Sequence, residues 1–493
     1  MKPNIVFVLA DQLRAASLPL YGGDWIETPN IDRLAREGVT LTECVSTCPV
    51  CTPYRSMLLT GRHPQTTGMT INSLRPRYEE ISVGDVLSRH GYRTAWIGKW
   101  HLHTGAWPAN NVPDWVPRGR PRLGFGHWRG YNQHMVYFNG FINSPYRDFD
   151  VIHWNGYETE GLLDFALEFM NGVDSDAPFA LFLSPQQPHI GRGKPESPTQ
   201  MAPERFYERL PDEIRYPENV PESIKNEDPG DRTSVPSGWR NYHAMILALD
   251  EMLGKLLDYL EESGEAEDTL IVFTSDHGTQ GGAHGIPFWD KKVPYVESMN
   301  VPCILRLPGT LDGGRRCNAL TAPVDFFPSL CSLCGPDTPP TVEGVDLSRA
   351  WRGDPTAPQQ DALFCMNFGS ETDYFTDGEE WRGVRTLRWQ YTEWLDGTRE
   401  LYDHEDDPLE MKNRVDDPEC AGVVADMQAR LRKFQEERGD RMLPGSAYEE
   451  WVDEHRRVIR NGFGPLGHPE TPPDWPKWQN VNRNRIYSSK NDV

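Results

Sequence analysis

The sequence predicts an α/β protein in which helices flank a largely parallel central sheet. Three observations support this fold class. Short, nearly continuous apolar runs recur along the first 360 residues, amphipathic helical patterns separate them, and polar residues of chemical interest follow the ends of the runs. Uninterrupted apolar runs are typical of strands that are buried on both faces of a sheet. Their alternation with helices favours a parallel arrangement.

The predicted elements follow one another along the chain. Apolar runs predict strands at residues 4–10, 93–97, 179–183, 270–274 and 301–305. Helical patterns that end at a glycine predict helices at 30–37 and 82–90, and a stripe of Leu and Met residues predicts a long amphipathic helix at 242–262. Two irregular stretches, 103–150 and 191–239, are rich in Gly, Pro, Trp or charge. Long loops are often functional, so we expect these two to form walls over a ligand site.

The residue pattern changes near residue 360, from alternating apolar runs and helical segments to short strand-like segments, which predicts two domains. We assign residues 1–360 to a catalytic domain and residues 361–493 to a smaller C-terminal subdomain. Short antiparallel strands are expected in the subdomain at 363–368, 381–386 and 390–394, followed by a helix at 420–437. The remaining Pro-, Trp- and Asn-rich residues are expected to wrap the surface as a tail.

Composition limits the partners that this chain can have. The 493 residues carry a net charge of −23, which argues against a nucleic-acid or anionic-membrane partner. No apolar run approaches the ~20 residues of a membrane span. The apolar run near the N-terminus is short and ends at Asp11, so it predicts a buried strand rather than a signal peptide. We therefore expect a cytoplasmic protein.

Several polar side chains follow the predicted strands, at the edge where ligands gather in open α/β sheets. A separate candidate is Cys51, which has Pro53 and Arg55 close by, because a nearby cation lowers the pKa of a thiol and makes it reactive. Taken singly, each candidate also has a structural interpretation, such as a plain turn, a loop histidine or a buried cysteine. The residues after the strands are Asp11, Lys99, His101, His189, Asp276 and His277.

The motif that begins at Cys51 is much more specific than its parts. Cys51, Pro53 and Arg55 continue into Leu59-Thr60-Gly61, and this spacing resembles the signature of type I sulfatases of the alkaline-phosphatase-like superfamily. The resemblance covers most of the chain, in the family's order. It implies an alkaline-phosphatase-like sandwich and oxidation of Cys51 to formylglycine. The other matching segments are residues 3–11, 28–35, 98–102, 188–189, 274–278, 284–285 and 401–410, with Lys291 and Tyr295.

The resemblance also implies roles for individual residues. Gln12 departs from many sulfatases, which have a second acid at this position. Oxygen ligands suit Ca²⁺, the ion that we expect, while Mg²⁺, Mn²⁺ and Zn²⁺ stay open. The implied ligands of one divalent cation are Asp11, Gln12, Asp276, His277 and modified Cys51. The implied catalytic residues are Cys51, Arg55, Lys99, His101, His189 and Lys291.

The implied reaction is hydrolysis of a sulfate monoester, either a sulfated carbohydrate or a small molecule. Maturation would require a formylglycine-generating enzyme as a partner. Aromatic residues suit sugar or aryl rings, although core packing explains a Trp equally often. The expected substrate-binding residues are Trp107, Trp115, Trp128, Tyr131 and His284.

Two other functions remain open at this point. The combination of Gln12 and His277 is also similar to phosphonate monoester hydrolases of the same superfamily, so a phosphonate monoester or phosphodiester hydrolase is the enzymatic alternative. A catalytically silent binding protein with unmodified Cys51 is the alternative from another class.

Overall fold

The structure, a computed structural model, describes residues 2–103, 115–145, 150–174, 177–191, 200–228, 230–231 and 234–475. The strands are β1 (Asn4–Ala10), β2 (Val39–Leu41), β3 (Arg93–Lys99), β4 (His127–Tyr131), β5 (Phe141–Asn143), β6 (Val151–His153), β7 (Phe179–Ser184), β8 (Thr269–Ser275), β9 (Cys303–Arg306), β10 (Arg315–Cys317), β11 (Leu363–Phe368), β12 (Glu380–Arg385), β13 (Trp389–Trp394), β14 (Arg399–Asp403), β15 (Arg460–Asn461) and β16 (Gly464–Pro465). The α-helices are α1 (Pro29–Glu37), α2 (Cys51–Thr60), α3 (Pro64–Thr67), α4 (Val83–Arg89), α5 (Glu158–Asn171), α6 (Glu204–Tyr207), α7 (Glu222–Lys225), α8 (Val235–Glu262), α9 (Val296–Met299), α10 (Pro323–Cys334), α11 (Ser348–Trp351) and α12 (Ala421–Arg438).

An eight-stranded sheet forms the centre of the fold, in the order β10-β2-β9-β8-β1-β7-β3-β4. Its strands run in one direction with the exception of β9, which is antiparallel to both of its neighbours. The largely parallel sheet that the sequence predicts is therefore confirmed. Strand β9 is reversed because the segment between β8 and β9 contains no long helix, only a short 3-10 turn (Ala283–Gly285) and the one-turn helix α9. Without a long crossover helix, the chain re-enters the sheet from the edge at which it left.

Helices cover both faces of this sheet, as a sandwich requires. Helices α1, α5 and α8 share one hydrophobic cluster with the sheet, and α2, α4 and α10 share a second cluster on the opposite face. Strand β1 lies in the middle of the sheet, and from Ile5 to Ala10 it is fully buried. This arrangement brings the ends of β1, β3, β7 and β8 to a single edge.

Two stretches that the sequence predicted as irregular contain regular elements. Helix α8 begins at Val235, seven residues before the predicted start, since Ser234 caps it by accepting from the Ser237 backbone N–H at 3.3 Å. Pro236 fits there because the first turn of a helix does not need its N–H. Strand β4 is an edge strand of the central sheet, and its arginine and glycine interrupt the apolar pattern from which strands are predicted.

The C-terminal part contains the predicted antiparallel sheet, in the order β11-β12-β13-β14. Helix α12 packs against β12 and β13. The chain then returns to the N-terminal part of the protein, where Arg77 donates to the backbone oxygens of Val458 at 2.9 Å and His468 at 3.2 Å. None of the described helices combines the length and the apolar composition that crossing a membrane requires.

Candidate active site

The thiol of Cys51 lies at the centre of the residues that follow the sheet strands. Cys51 is the first residue of α2 and is buried. Its Sγ lies 3.1 Å from His277 Nε2, 3.4 Å from Lys291 Nζ, 3.7 Å from Lys99 Nζ and 3.9 Å from Asp11 Oδ1. Four separate segments of the chain therefore meet at this one atom.

Arg55, one turn along the same helix, holds the two acids of the site. Its Nε lies 3.2 Å from Asp276 Oδ2, and its Nη2 lies 3.1 Å from the same oxygen and 3.5 Å from Asp11 Oδ2. Its Nη1 donates to Lys99 O and to Ser184 Oγ, both at 2.9 Å. All these side chains are buried, so the guanidinium compensates the carboxylates where water does not.

A group of four buried side chains has the composition of a metal site. The ligand atoms of this group all lie within 4.8 Å of one another. Two carboxylates, one sulfur and one imidazole could each offer one atom to a cation. The residues are Asp11, Cys51, Asp276 and His277.

Gln12 and His277 are both oriented towards such a cation. The Gln12 amide nitrogen donates to Thr279 Oγ1 at 3.1 Å and to Trp289 O at 2.8 Å. Its Oε1 is buried and has no hydrogen-bond partner among the described residues. The Nδ1 of His277 lies 2.9 Å from Gly278 O, so this nitrogen carries the proton and Nε2 keeps its lone pair. An orphaned amide oxygen and an imidazole lone pair that faces Cys51 fit a divalent cation at this site.

Charge controls the protonation of the thiol and of the acids. Burial raises the pKa of the Cys51 thiol, but the ammonium groups of Lys291 and Lys99 outweigh this effect and lower the pKa to about 6. Burial also raises the pKa of Asp11, yet Lys99 and the other cations hold it well below its usual range. The pKa of Asp276 is raised by burial and by the Asp11 charge. Asp276 is thus the better proton acceptor of the two acids.

Lys291 and His189 form a hydrogen-bonded pair beside the thiol. Lys291 Nζ lies 3.1 Å from His189 Nε2, and His189 Nδ1 lies 2.8 Å from Ile190 O. Burial and the Lys291 charge hold the pKa of His189 well below its ordinary value. The imidazole is therefore neutral, and its Nε2 accepts a hydrogen bond from Lys291.

His101 is the third imidazole at the site, after His277 and His189, and its ring nitrogens are unused. The side chain is fully buried, and neither ring nitrogen has a hydrogen-bond partner among the described residues. Burial and the Lys99 charge lower the pKa of His101 well below its ordinary value. A neutral imidazole of this kind can accept a proton during a reaction.

The backbone that presents Lys99 and His101 requires a glycine before them. Gly98 has a φ of +103°, and a Cβ at this position would lie 2.2 Å from Ser184 O. Only a residue without a side chain allows β3 and β7 to approach this closely.

A pocket of about 670 Å³ opens above Cys51, His101, His189 and Lys291. Much of its wall comes from residues that sequence reasoning missed. Trp289 is close to Lys291 in sequence, and this proximity was the one available signal. The missed lining residues include Asn72, Gln133, Met135, Trp289, Thr372 and Asp373.

The predicted aromatic wall is wrong where the structure describes it. Trp128 is buried, with its ring 5.1 Å from that of Trp100, and the Tyr131 hydroxyl donates to Glu158. Both residues belong to β4, which directs them into the protein interior. Trp115 packs near Arg122, 5.6 Å from its guanidinium, and is not among the residues that line the pocket.

His284 is also misassigned as a substrate-binding residue. Its ring stacks on Tyr295 with the centroids 4.1 Å apart, and its Nε2 lies 3.3 Å from Asn219 Nδ2 and 3.7 Å from Glu297 Oε2. These contacts hold it outside the pocket lining. Trp107, the remaining predicted wall residue, lies outside the described residues.

Comparison with protein families gives two matches. The family model described as Sulfatase matches residues 3–336, which is more than half of the chain. The model for the C-terminal region of N-sulphoglucosamine sulphohydrolase matches residues 282–437.

Individual proteins agree with these families. An ulvan-active sulfatase from Formosa agariphila is 32% identical over 89% of this chain and 82% of its own length. An N-acetylglucosamine-6-O-sulfatase from Bacteroides thetaiotaomicron is 26% identical over 89% of this chain and 87% of its own length. The crystal structure of the YidJ protein from Bacteroides fragilis has a TM-score of 0.77 and 28% identity, with coverage of 91% of this chain and 97% of that one.

Proposed function

Since the chain belongs to the sulfatase family and is a sulfuric ester hydrolase, we propose that it removes sulfate from a carbohydrate through a formylglycine made from Cys51. The position of Cys51 carries this proposal, because its Sγ lies 3.1–3.9 Å from His277, Lys291, Lys99 and Asp11. Two relatives named for ulvan and for N-acetylglucosamine-6-O-sulfate support the carbohydrate. A formylglycine-generating enzyme would be the maturation partner. A cytoplasmic location stays a prediction, which fractionation of the source cells tests.

One divalent cation is part of the proposal. Asp11, Gln12, Asp276 and His277 would hold it together with residue 51. Ca²⁺ fits this donor set best, because two carboxylates and one amide oxygen dominate it. When bound, the cation would supply positive charge to the sulfuryl oxygens and lower the pKa of a hydroxyl at residue 51.

In the first step, the chain's own charged groups hold the ester and move one proton. Lys99 and Lys291 would bind the sulfuryl oxygens. A hydroxyl of the hydrated aldehyde at residue 51 attacks sulfur while the ester S–O bond breaks, and Asp276 accepts its proton. Lys291, held by His189, gives a proton to the departing alkoxide.

In the second step, His101 acts as the base. Its neutral imidazole takes the proton of the remaining hydroxyl on residue 51. The carbon–oxygen bond to sulfate then breaks, sulfate leaves, and the aldehyde re-forms and is hydrated by water. Sulfur needs no second attack by water, because the geminal diol provides both hydroxyl groups.

Peptide mass spectrometry of active enzyme tests this function. The formylglycine peptide is expected to be about 18 Da lighter than the thiol peptide, from the exchange of CH₂SH for CHO that creates the nucleophile. Activity on sulfate esters should rise with the modified fraction and vanish in Cys51→Ala. The matched control is Cys317→Ala, a buried cysteine of β10 away from the site, which should remain active. Full activity with the unmodified thiol would contradict the mechanism.

A further inference from the structure

The pocket above Cys51 carries opposite charges at its floor and at its mouth. The floor contains Lys291 beside the thiol, with Lys99 behind it. The mouth is lined by three acids and one lysine: Asp290, Glu371, Asp373 and Lys292. A substrate that enters therefore places its sulfate among cations and its other end among carboxylates.

The cation at the mouth is already neutralised. Lys292 Nζ lies 3.1 Å from Asp290 Oδ1 and 2.9 Å from Glu379 Oε2. Among the described residues, the carboxylates of Glu371 and Asp373 form no ion pair with a lysine or an arginine. Asp373 accepts from the Ser73 hydroxyl. Arg456 lies near enough to Asp373 for the two charges to attract, but its guanidinium donates to the backbone oxygens of Asn72 at 3.3 Å and Asp373 at 2.8 Å and not to the carboxylate.

The loop of residues 371–373, which carries Glu371 and Asp373, is fixed relative to the nucleophile. Asp373 accepts from Ser73 Oγ at 3.0 Å, and the Thr372 carbonyl accepts from Asn72 N at 2.7 Å. The Asn72 side chain in turn accepts from the backbone N–H of Thr52, the residue after Cys51, at 3.0 Å. This chain of hydrogen bonds holds the carboxylates in place, so that they act on every substrate that reaches the thiol.

Two further residues offer contacts to a ring that occupies this pocket. Trp289 leaves 43% of its surface exposed on the pocket wall, which offers an apolar face for stacking. The buried imidazole of His101 lines the same pocket with both ring nitrogens unpartnered, so polar capacity remains there for a ligand.

We propose that the acidic mouth restricts this enzyme to singly sulfated sugars that carry no carboxylate and no further sulfate on the ring that occupies the pocket. The inference rests on the proposed function and names its substrate class. A second anionic group would lie against Glu371 and Asp373, where like charges disfavour binding. Sugar hydroxyls donate hydrogen bonds to the same carboxylates. The net charge of −23 also repels substrates with additional negative charge, at longer range.

The test compares two sulfate esters that differ in one charge, 4-sulfooxybenzamide and 4-sulfooxybenzoate, on enzyme with confirmed formylglycine. Wild type is expected to favour the amide in kcat/KM by on the order of tenfold or more. In the double variant Glu371→Gln/Asp373→Asn this preference should fall by about tenfold. Differences in leaving-group chemistry cancel, because the same two esters are compared in each protein.

The matched control is Asp377→Asn, which removes one charge from the same loop. Asp377 accepts from the backbone N–H of Ser446 at 2.8 Å and does not line the pocket, so this variant should keep the wild-type preference. An equal preference in wild type and double variant would overturn the charge selection and leave the sulfatase proposal standing. Turnover of neither ester, nor of any sulfated monosaccharide, by enzyme with confirmed formylglycine would overturn the proposed function itself.

Discussion

The buried contact between Glu410 and His404 is expected to make the stability of this protein fall as pH rises. Glu410 Oε1 lies 2.6 Å from His404 Nε2, and its Oε2 accepts from the Val296 backbone N–H at 2.8 Å. Arg385 Nη1 lies 2.9 Å from the same His404 nitrogen. Arginine can only donate, so this nitrogen is an acceptor and the short contact requires a proton on Glu410. Burial and the nearby Glu297 accordingly raise the pKa of Glu410 to about 8.

The size of the effect follows from this pKa. The ordinary value is 4.5 and the folded value is about 8, so between these pH values the folded state holds a proton that the unfolded state has lost. The stabilisation is complete below 4.5 and is lost as pH rises through 8. Between about pH 5.5 and pH 8.5 the free energy of unfolding should lose the equivalent of about 2.5 pKa units, or about 3 kcal/mol. With an unfolding entropy of about 1 kcal/mol/K for a chain of this size, Tm should fall by about 3 °C from this group.

The variant that isolates this group is Glu410→Gln. Its amide keeps the shape, accepts from Val296 and donates to His404, but it does not ionise. Tm is measured for both proteins at pH 5.5 and pH 8.5 and at constant ionic strength. The variant should lie close to wild type at the lower pH and gain about 3 °C on it at the higher pH.

The matched control is Glu405→Gln, an exposed acid that pairs with Arg388 at 3.1 Å. Its Tm should differ from that of wild type by the same small amount at both pH values, because an exposed ion pair contributes little to stability. If Glu410→Gln also showed a difference independent of pH, the Glu410 carboxyl would be ionised in the folded protein and the reasoning would be refuted.

Three further outcomes are expected. His189→Ala should lower the hydrolysis rate of an alkyl sulfate by about 10²–10⁴-fold and that of a nitrophenyl sulfate much less, since the poor leaving group needs a proton; equal losses would reassign His189 to binding or structure. Gln12→Ala should weaken metal affinity by at least about tenfold in a Ca²⁺ titration of folded protein, because its orphaned oxygen is lost; an unchanged Kd would exclude Gln12 as a ligand. Gly98→Ala should lower the free energy of unfolding by about 2 kcal/mol or more, since a Cβ would lie 2.2 Å from Ser184 O at a φ of +103°; a wild-type Tm would show that β3 and β7 can separate.

The positions of the candidate site residues could largely be predicted from the sequence. Asp11, Lys99, His189 and Asp276 follow or end buried strands, and carboxyl ends of parallel strands share one edge of a sheet. The structure brings them together with Cys51 at that edge, while their chemical roles remain predictions. The direction of β9 could not be predicted in the same way, because an apolar run reveals burial but not orientation.

The aromatic wall shows why pattern alone failed elsewhere. Trp128 and Tyr131 are residue types that often bind rings, yet β4 joins the central sheet and buries both side chains. Composition cannot distinguish a core tryptophan from one that stacks on a ligand, because both need apolar surroundings. Trp289 stays exposed at the pocket because the turn that carries it lies outside the sheet.

The sequence by itself determined the fold class, the edge of the sheet that carries the chemistry and the motif around Cys51. These features are local, since they depend on strand runs and on residue spacing. Only the tertiary structure decided what surrounds the thiol at a distance. The loop that carries Glu371 and Asp373 is held at the pocket by hydrogen bonds of Thr372 and Asp373 to residues some 300 positions earlier in the chain. Such contacts depend on how the segment around the C-terminal sheet packs against the N-terminal part of the chain, and no local pattern encodes that packing.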